Sequence, residues 1–142
     1  MNVSPYLLFN GNCAEAFKFY EEALGGKIEM VSKFGGTPAA EHAPPEWADK
    51  VMHASMTIGD TRIMGSDAPP GHYSQPQGLS VALGLNDATR GEQIFNALAE
   101  NGTVQMPYQP TFWAAGFGMC VDRFGIPWMV NVEQAGASSS GS

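Results

Sequence analysis

Apolar and polar positions along the chain change period several times, and each change marks an element. Val3 to Phe9 is a short apolar strand that contains Pro5, and Asn10-Gly11-Asn12 follows as a turn. From Cys13 to Leu24 the apolar residues Ala16, Phe17, Tyr20, Ala23 and Leu24 recur at helical spacing. Asn12 is placed to cap this helix, with Glu15 in the capping-box position, and Gly25-Gly26 ends it. Lys27 to Phe34 reads as a strand and Gly35 to Asp49 as a loop. Met52 to Gly59 alternates: Met52, Ala54, Met56 and Ile58 on one face, His53, Ser55 and Thr57 on the other. Gly59-Asp60 turns the chain into Thr61 to Ser66, and a Pro- and Gly-rich loop runs from Asp67 to Gln77.

The second half begins with a strand from Leu79 to Leu85. Asp87 caps a helix reaching Ala99, with Ile94, Phe95 and Leu98 as its apolar stripe. Asn101-Gly102 ends the helix, and Thr103 to Met106 opens a strand. Phe112 to Asn131 reads as strand, turn, strand, with Asp122-Arg123-Phe124-Gly125 as the turn. The halves match without a gap: Asn10 with Asn86, Phe19 with Phe95, Ala23 with Ala99, Gly26 with Gly102, Ile28 with Val104 and Met30 with Met106. The offset is constant, since 86 − 10 and 106 − 30 are both 76. The expected architecture is therefore α+β, a β-α-β-β-β unit used twice.

Composition narrows the partners. The chain has 142 residues, 44% of them apolar, which suits one globular domain over residues 1–134 with modules at about 3–67 and 79–133. Ala135 to Ser142, AGASSSGS, has linker composition and is set aside. A formal charge of −7 and no basic cluster argue against nucleic acid and anionic membranes. No charged leader precedes an apolar core at the N-terminus and no apolar run is long enough to span a bilayer. With only Cys13 and Cys120, a reducing cytoplasm is the simpler expectation.

The segments YLLFNGNCAEAFKFYEEALGG, HASMTIGDTRIMGSD and FWAAGFGMCVDRFGIPWMVN together resemble the PhnB-like proteins of the vicinal-oxygen-chelate superfamily, from Val3 to about Glu133. That resemblance implies curved mixed sheets forming a cup with the helices outside, and a homodimer. Metal-dependent members such as glyoxalase I carry two His and two Glu on the first and last strands of each module. Here Pro5 and Ser80 fall at the His positions and Met64 and Met129 at the Glu positions, so no metal and no cofactor are expected.

What remains is a lining of thioethers and hydroxyls. His53 is the candidate acid–base residue, on the strand face that also carries Ser55. Ser55, Met64, Ser66, Asp67, Ser80, Met129 and Asn131 are candidate ligand contacts, and Phe112 and Trp113 are candidates for stacking on a planar ligand near the cup mouth. Asp67 either orients His53 or caps a turn. Trp128 belongs under a helix with Val130 and Val132. His42 and His72 lie in Pro-rich loops and read as solvated. The helix dipole lowers a thiol pKa at the position of Cys13, but no histidine is close by in sequence to pair with it, so Cys13 reads as a small buried residue and Cys120 as core.

Three functions compete. The first is a metal-free cup that binds a small, partly aromatic organic molecule. The second is a metal-dependent lyase, isomerase or dioxygenase that uses His53 with acidic residues. The third is methyl transfer, because PhnB-like domains are commonly labelled 3-demethylubiquinone-9 3-methyltransferase, although no Gly-rich nucleotide loop follows a strand here.

Overall fold

A computed structural model describes residues 1–38, 44–69 and 71–134. His42 and the tail 135–142 lie outside the described residues. The chain divides into two compact units, Met1–Ser74 and Gln75–Ser142. The first contains β1 (Tyr6–Phe9), α1 (Cys13–Leu24), β2 (Lys27–Lys33), β3 (Val51–Ile58) and β4 (Thr61–Asp67). The second contains β5 (Val81–Leu85), α2 (Ala88–Ala99), β6 (Thr103–Gln109), β7 (Ala114–Val121) and β8 (Pro127–Glu133). Each unit is the expected β-α-β-β-β module. The sheet orders are β1-β4-β3-β2 and β5-β8-β7-β6, with one parallel pair in each, β1 with β4 and β5 with β8.

One face of each sheet is packed under its helix. In the first, Leu7, Phe9, Ala54, Met56 and Ile63 are buried with Phe17, Tyr20 and Leu24 of α1. Gly65 permits this contact: a Cβ there would lie 2.7 Å from the Leu7 carbonyl and 3.0 Å from the Phe17 ring. In the second, Trp128, Val130 and Val132 are fully buried, and Ile94, Phe95 and Leu98 of α2 are buried with them, as the alternation of β8 requires. Gly25 (φ 72°) and Asn101 (φ 60°) end the two helices in the left-handed region, and these residues are 76 apart. Among the described residues no helix is long and apolar enough to cross a membrane.

Several local expectations are corrected. β1 starts at Tyr6, not Val3, and Pro5 contributes only its carbonyl, which accepts from Met64 N at 3.1 Å. Asn12 makes no side-chain cap bond, and Asp67 Oδ1 accepts from Cys13 N at 2.9 Å instead. Asp87 does cap α2, accepting from Arg90 N at 3.1 Å. Met52 leaves the Ala54–Met56 face because a bulge lies between the pairs Ser32–His53 and Lys33–Val51; Val51 is buried in its place. Phe112 and Trp113 precede β7 in a turn where Thr111 Oγ1 accepts from Trp113 N and Ala114 N. The ungapped repeat also slips within the helices. Phe19 is half-exposed where Phe95 is buried, and the buried set Cys13, Ala16, Phe17, Tyr20 corresponds to Gly91, Ile94, Phe95, Leu98, two residues out of that register.

Candidate functional site

Strand pairing fixes which side chains share the sheet face opposite each helix, because cross-strand partners point the same way. In the first module one row runs Met30–Ser55–Met64–Tyr6 across β2, β3, β4 and β1. In the second the equivalent row is Met106–Met119–Met129–Ala82 across β6, β7, β8 and β5. The bulge that precedes Met30 recurs before Met106, so the two rows correspond position by position. Met64 and Met129 are thus equivalent, as the sequence expectation held. The residue beside Met64 on β1 is Tyr6, however, not Pro5.

On the first face His53 has a partner that the sequence did not reveal. Tyr6 Oη lies 3.0 Å from His53 Nδ1, and the two rings stack with centroids 5.6 Å apart at 28°. When the phenol donates to Nδ1, the neutral imidazole carries its proton on Nε2 and presents a donor; when Nδ1 donates to the phenol, Nε2 is the acceptor. Ser55 and Ser66 are each 8% exposed on this face, and Met64 is half-buried. A groove of about 600 Å³ contains Met64 with Ser4, Thr57, Thr61 and Arg62.

Asp67 stands apart from these residues. Its carboxylate accepts from Cys13 N and Val51 N, both at 2.9 Å, and it is 2% exposed. It joins the starts of α1 and β3 to the end of β4 and makes no bond to His53. Cys13 is fully buried at the start of α1, in keeping with its reading as a small buried residue. Burial, and then the Asp67 carboxylate, push its pKa up to about 12, and burial with Asp122 pushes Cys120 up to about 11. Both values exceed the ordinary 9.0, so the folded chain retains thiols that the unfolded chain ionises. Stability from this source is intact below pH 9.0 and is lost as pH rises toward about 11 to 12. We expect the urea midpoint to fall above pH 9.0 and the fall to flatten in Cys13→Ala. A midpoint equally steep in wild type and variant would contradict this.

On the second face Ser80, Met119 and Met129 line a groove of about 630 Å³ with Gln105 and Pro127. This groove is the counterpart of the first one: Ser80 answers Ser4, since 80 − 4 is 76, and Met129 answers Met64. Asn131 pairs with Phe117 across β7 and β8, and its Oδ1 is buried without a partner. Trp113 packs edge-on to Phe117 at 5.3 Å and to Phe112 at 4.8 Å. Phe112 is 91% exposed and Trp113 48%, so the pair forms an aromatic step leading down to the buried Phe117. Phe117, Met119 and Tyr6 are the functional candidates that sequence reasoning missed. The alternation Phe117-Met119-Val121 was available to find the first two.

The hard metal site of metal-dependent relatives does not fit these residues. The positions that would hold it present thioether, phenol, methyl and hydroxyl groups, and among the described residues no three His, Cys, Asp or Glu side chains converge. Both helix N-termini are closed by carboxylates, Asp67 and Asp87, which leaves neither helix N-terminus as a phosphate cradle.

Two β-α-β-β-β modules with mixed sheets, each backed by one helix, make the glyoxalase/bleomycin-resistance-type fold. A family model described as 3-demethylubiquinone-9 3-methyltransferase matches residues 1–131. Protein YjdN of Escherichia coli (strain K12) is 39% identical over 142 residues, covering 93% of this chain and 95% of that protein. The crystal structure of protein PA1353 from Pseudomonas aeruginosa is 48% identical with a TM-score of 0.87, covering 95% of this chain and 99% of that one. A putative 3-demethylubiquinone-9 3-methyltransferase, PhnB protein, from Bacillus cereus has a TM-score of 0.79 at 21% identity, over 93% of this chain and 99% of that one, and shows the shared fold. The chain belongs to this PhnB-like family, the one whose model is described as 3-demethylubiquinone-9 3-methyltransferase.

Proposed function

We propose that the chain binds a small organic molecule with a planar aromatic part on the second module's sheet face opposite α2. The observation that carries this reading is the run Trp113–Phe117–Met119–Met129: two aromatic rings and two thioethers beside the hydroxyl of Ser80 and the amide of Asn131. An apolar floor with a few directional polar groups is the usual form of a small-molecule site. Phe112 and Trp113 stack on the ligand's exposed edge. On the first face, His53, positioned by Tyr6, with Ser55, Ser66 and Met64, offers a polar set, and His53 is the acid–base residue if chemistry follows binding. Asp67 is left out of the ligand set and serves the fold. Neither a metal nor a cofactor is required by this reading.

Methyl transfer, which the matching model's description names, has less support from the residues, because each sheet has a single parallel pair and no nucleotide crevice between parallel strands. Titration of aromatic compounds, read by Trp113 fluorescence with Trp113→Phe as control, tests the proposal. Saturable quenching that vanishes in Trp113→Phe is expected, and tight binding of a methyl-donor nucleotide in place of aromatic compounds would refute it.

The exposed apolar residues Met30 and Val31 lie on β2, and Val104 and Met106 on β6, each strand at a sheet edge. They support a homodimer in a reducing cytoplasm, where Cys13 and Cys120 remain free thiols. Sedimentation at micromolar concentration is expected to give twice the 15.1 kDa chain mass, and a single 15.1 kDa species would contradict it.

A further inference from the structure

The three-methionine row on the second face has a chemistry of its own. Met106 pairs with Met119, and Met119 with Met129, so three thioethers occupy consecutive strands at one level of the sheet. Neighbouring strands lie about 4.8 Å apart, which places each outer methionine one strand from the central one. Three rotatable bonds let the outer side chains lean inward over Met119. The groove that Met119 and Met129 line with Ser80, Gln105 and Pro127 holds no charged side chain, so neither a carboxylate nor an ammonium group competes there. The chain's formal charge of −7 favours a cation. Thioethers are soft ligands that select soft ions such as Cu(I) over magnesium, calcium or manganese.

The geometry points to a soft monovalent cation site, for Cu(I) or Ag(I), held by Met106, Met119 and Met129. The first module supplies the internal control. Its equivalent row is Met30–Ser55–Met64, in which a hydroxyl takes the central place and the two thioethers stand two strands, roughly 10 Å, apart. The same fold therefore carries the site once and lacks it once. The site shares Met119 and Met129 with the organic-ligand reading, but its test contains no organic ligand, so the two readings fail separately.

The test is a titration of the full chain, labelled at its methionine methyl carbons, with Ag(I) in a buffer free of thiols and chloride. One equivalent is expected to bind, with the methyl signals of Met106, Met119 and Met129 shifting together. Met119→Leu keeps the volume and is expected to weaken binding at least about tenfold, the loss that even an outer-shell partner's removal produces. Met64→Leu is expected to leave the affinity unchanged. Should Met119→Leu fail to melt cooperatively, Met129→Leu carries the same comparison. Ag(I) held equally well after these changes, with the buried thiols of Cys13 and Cys120 as its ligands, would overturn the site. So would equal weakening by Met64→Leu, or binding that leaves the three methyl signals in place.

Discussion

Asp122→Ala is expected to lower the unfolding free energy by about 3–5 kcal/mol, since hydrogen bonds to an ionised group contribute roughly 1.5–3 kcal/mol each and are less than additive within one carboxylate. Its Oδ1 accepts from Phe124 N at 2.8 Å and Ile126 N at 3.0 Å, and its Oδ2 from Trp128 Nε1 at 2.8 Å. The residue is 3% exposed, so its loss strands three buried donors with no access to water. It closes the β7–β8 turn and also orients the largest fully buried side chain, Trp128. A typical domain has only about 5–15 kcal/mol to lose, so the variant is expected to be marginal at 37 °C. Urea unfolding measures the change. Asp122→Asn keeps one acceptor and is expected to lose less; a loss under about 1 kcal/mol in Asp122→Ala would show that the turn is held by other contacts.

The second large effect is expected in the first module, at Asp67→Ala, with a loss of about 2–4 kcal/mol from two hydrogen bonds to a buried carboxylate. These bonds reach Cys13 N and Val51 N, joining residues 54 and 16 positions away in sequence. Amide exchange at Cys13 and Val51 is expected to quicken together with the fall in stability. A variant with native stability and weakened ligand binding would instead return Asp67 to the ligand set.

The helices were legible because their apolar spacing is local, and both ends carried a residue able to take positive φ, Gly25 and Asn101. Strand faces were legible wherever alternation ran unbroken, as from His53 to Ile58 and along Trp128, Val130 and Val132. Bulges broke the reading. Met52 changed face, and the extra residues Glu29 and Gln105 left no compositional mark, since a bulge is a property of two paired strands and not of one. The site was legible in its thioethers and serines, which sit on faces set by local periodicity. Its partners were not. Tyr6 meets His53 across 47 residues, and Asp67 meets Cys13 across 54, so neither pairing has a local signature. Phe112 and Trp113 looked like strand residues, but Pro110 and the side-chain bonds of Thr111 turn the chain before β7 begins.

Whether the sheet face opposite α2 is the binding face can be read directly from the methionine methyl carbons. A planar aromatic compound that quenches Trp113 is expected to shift the methyl signals of Met119 and Met129 on that face. It is expected to leave Met56, fully buried under α1, unmoved. Quenching accompanied by shifts at Met56 but none at Met119 or Met129 would contradict the account and place the ligand elsewhere.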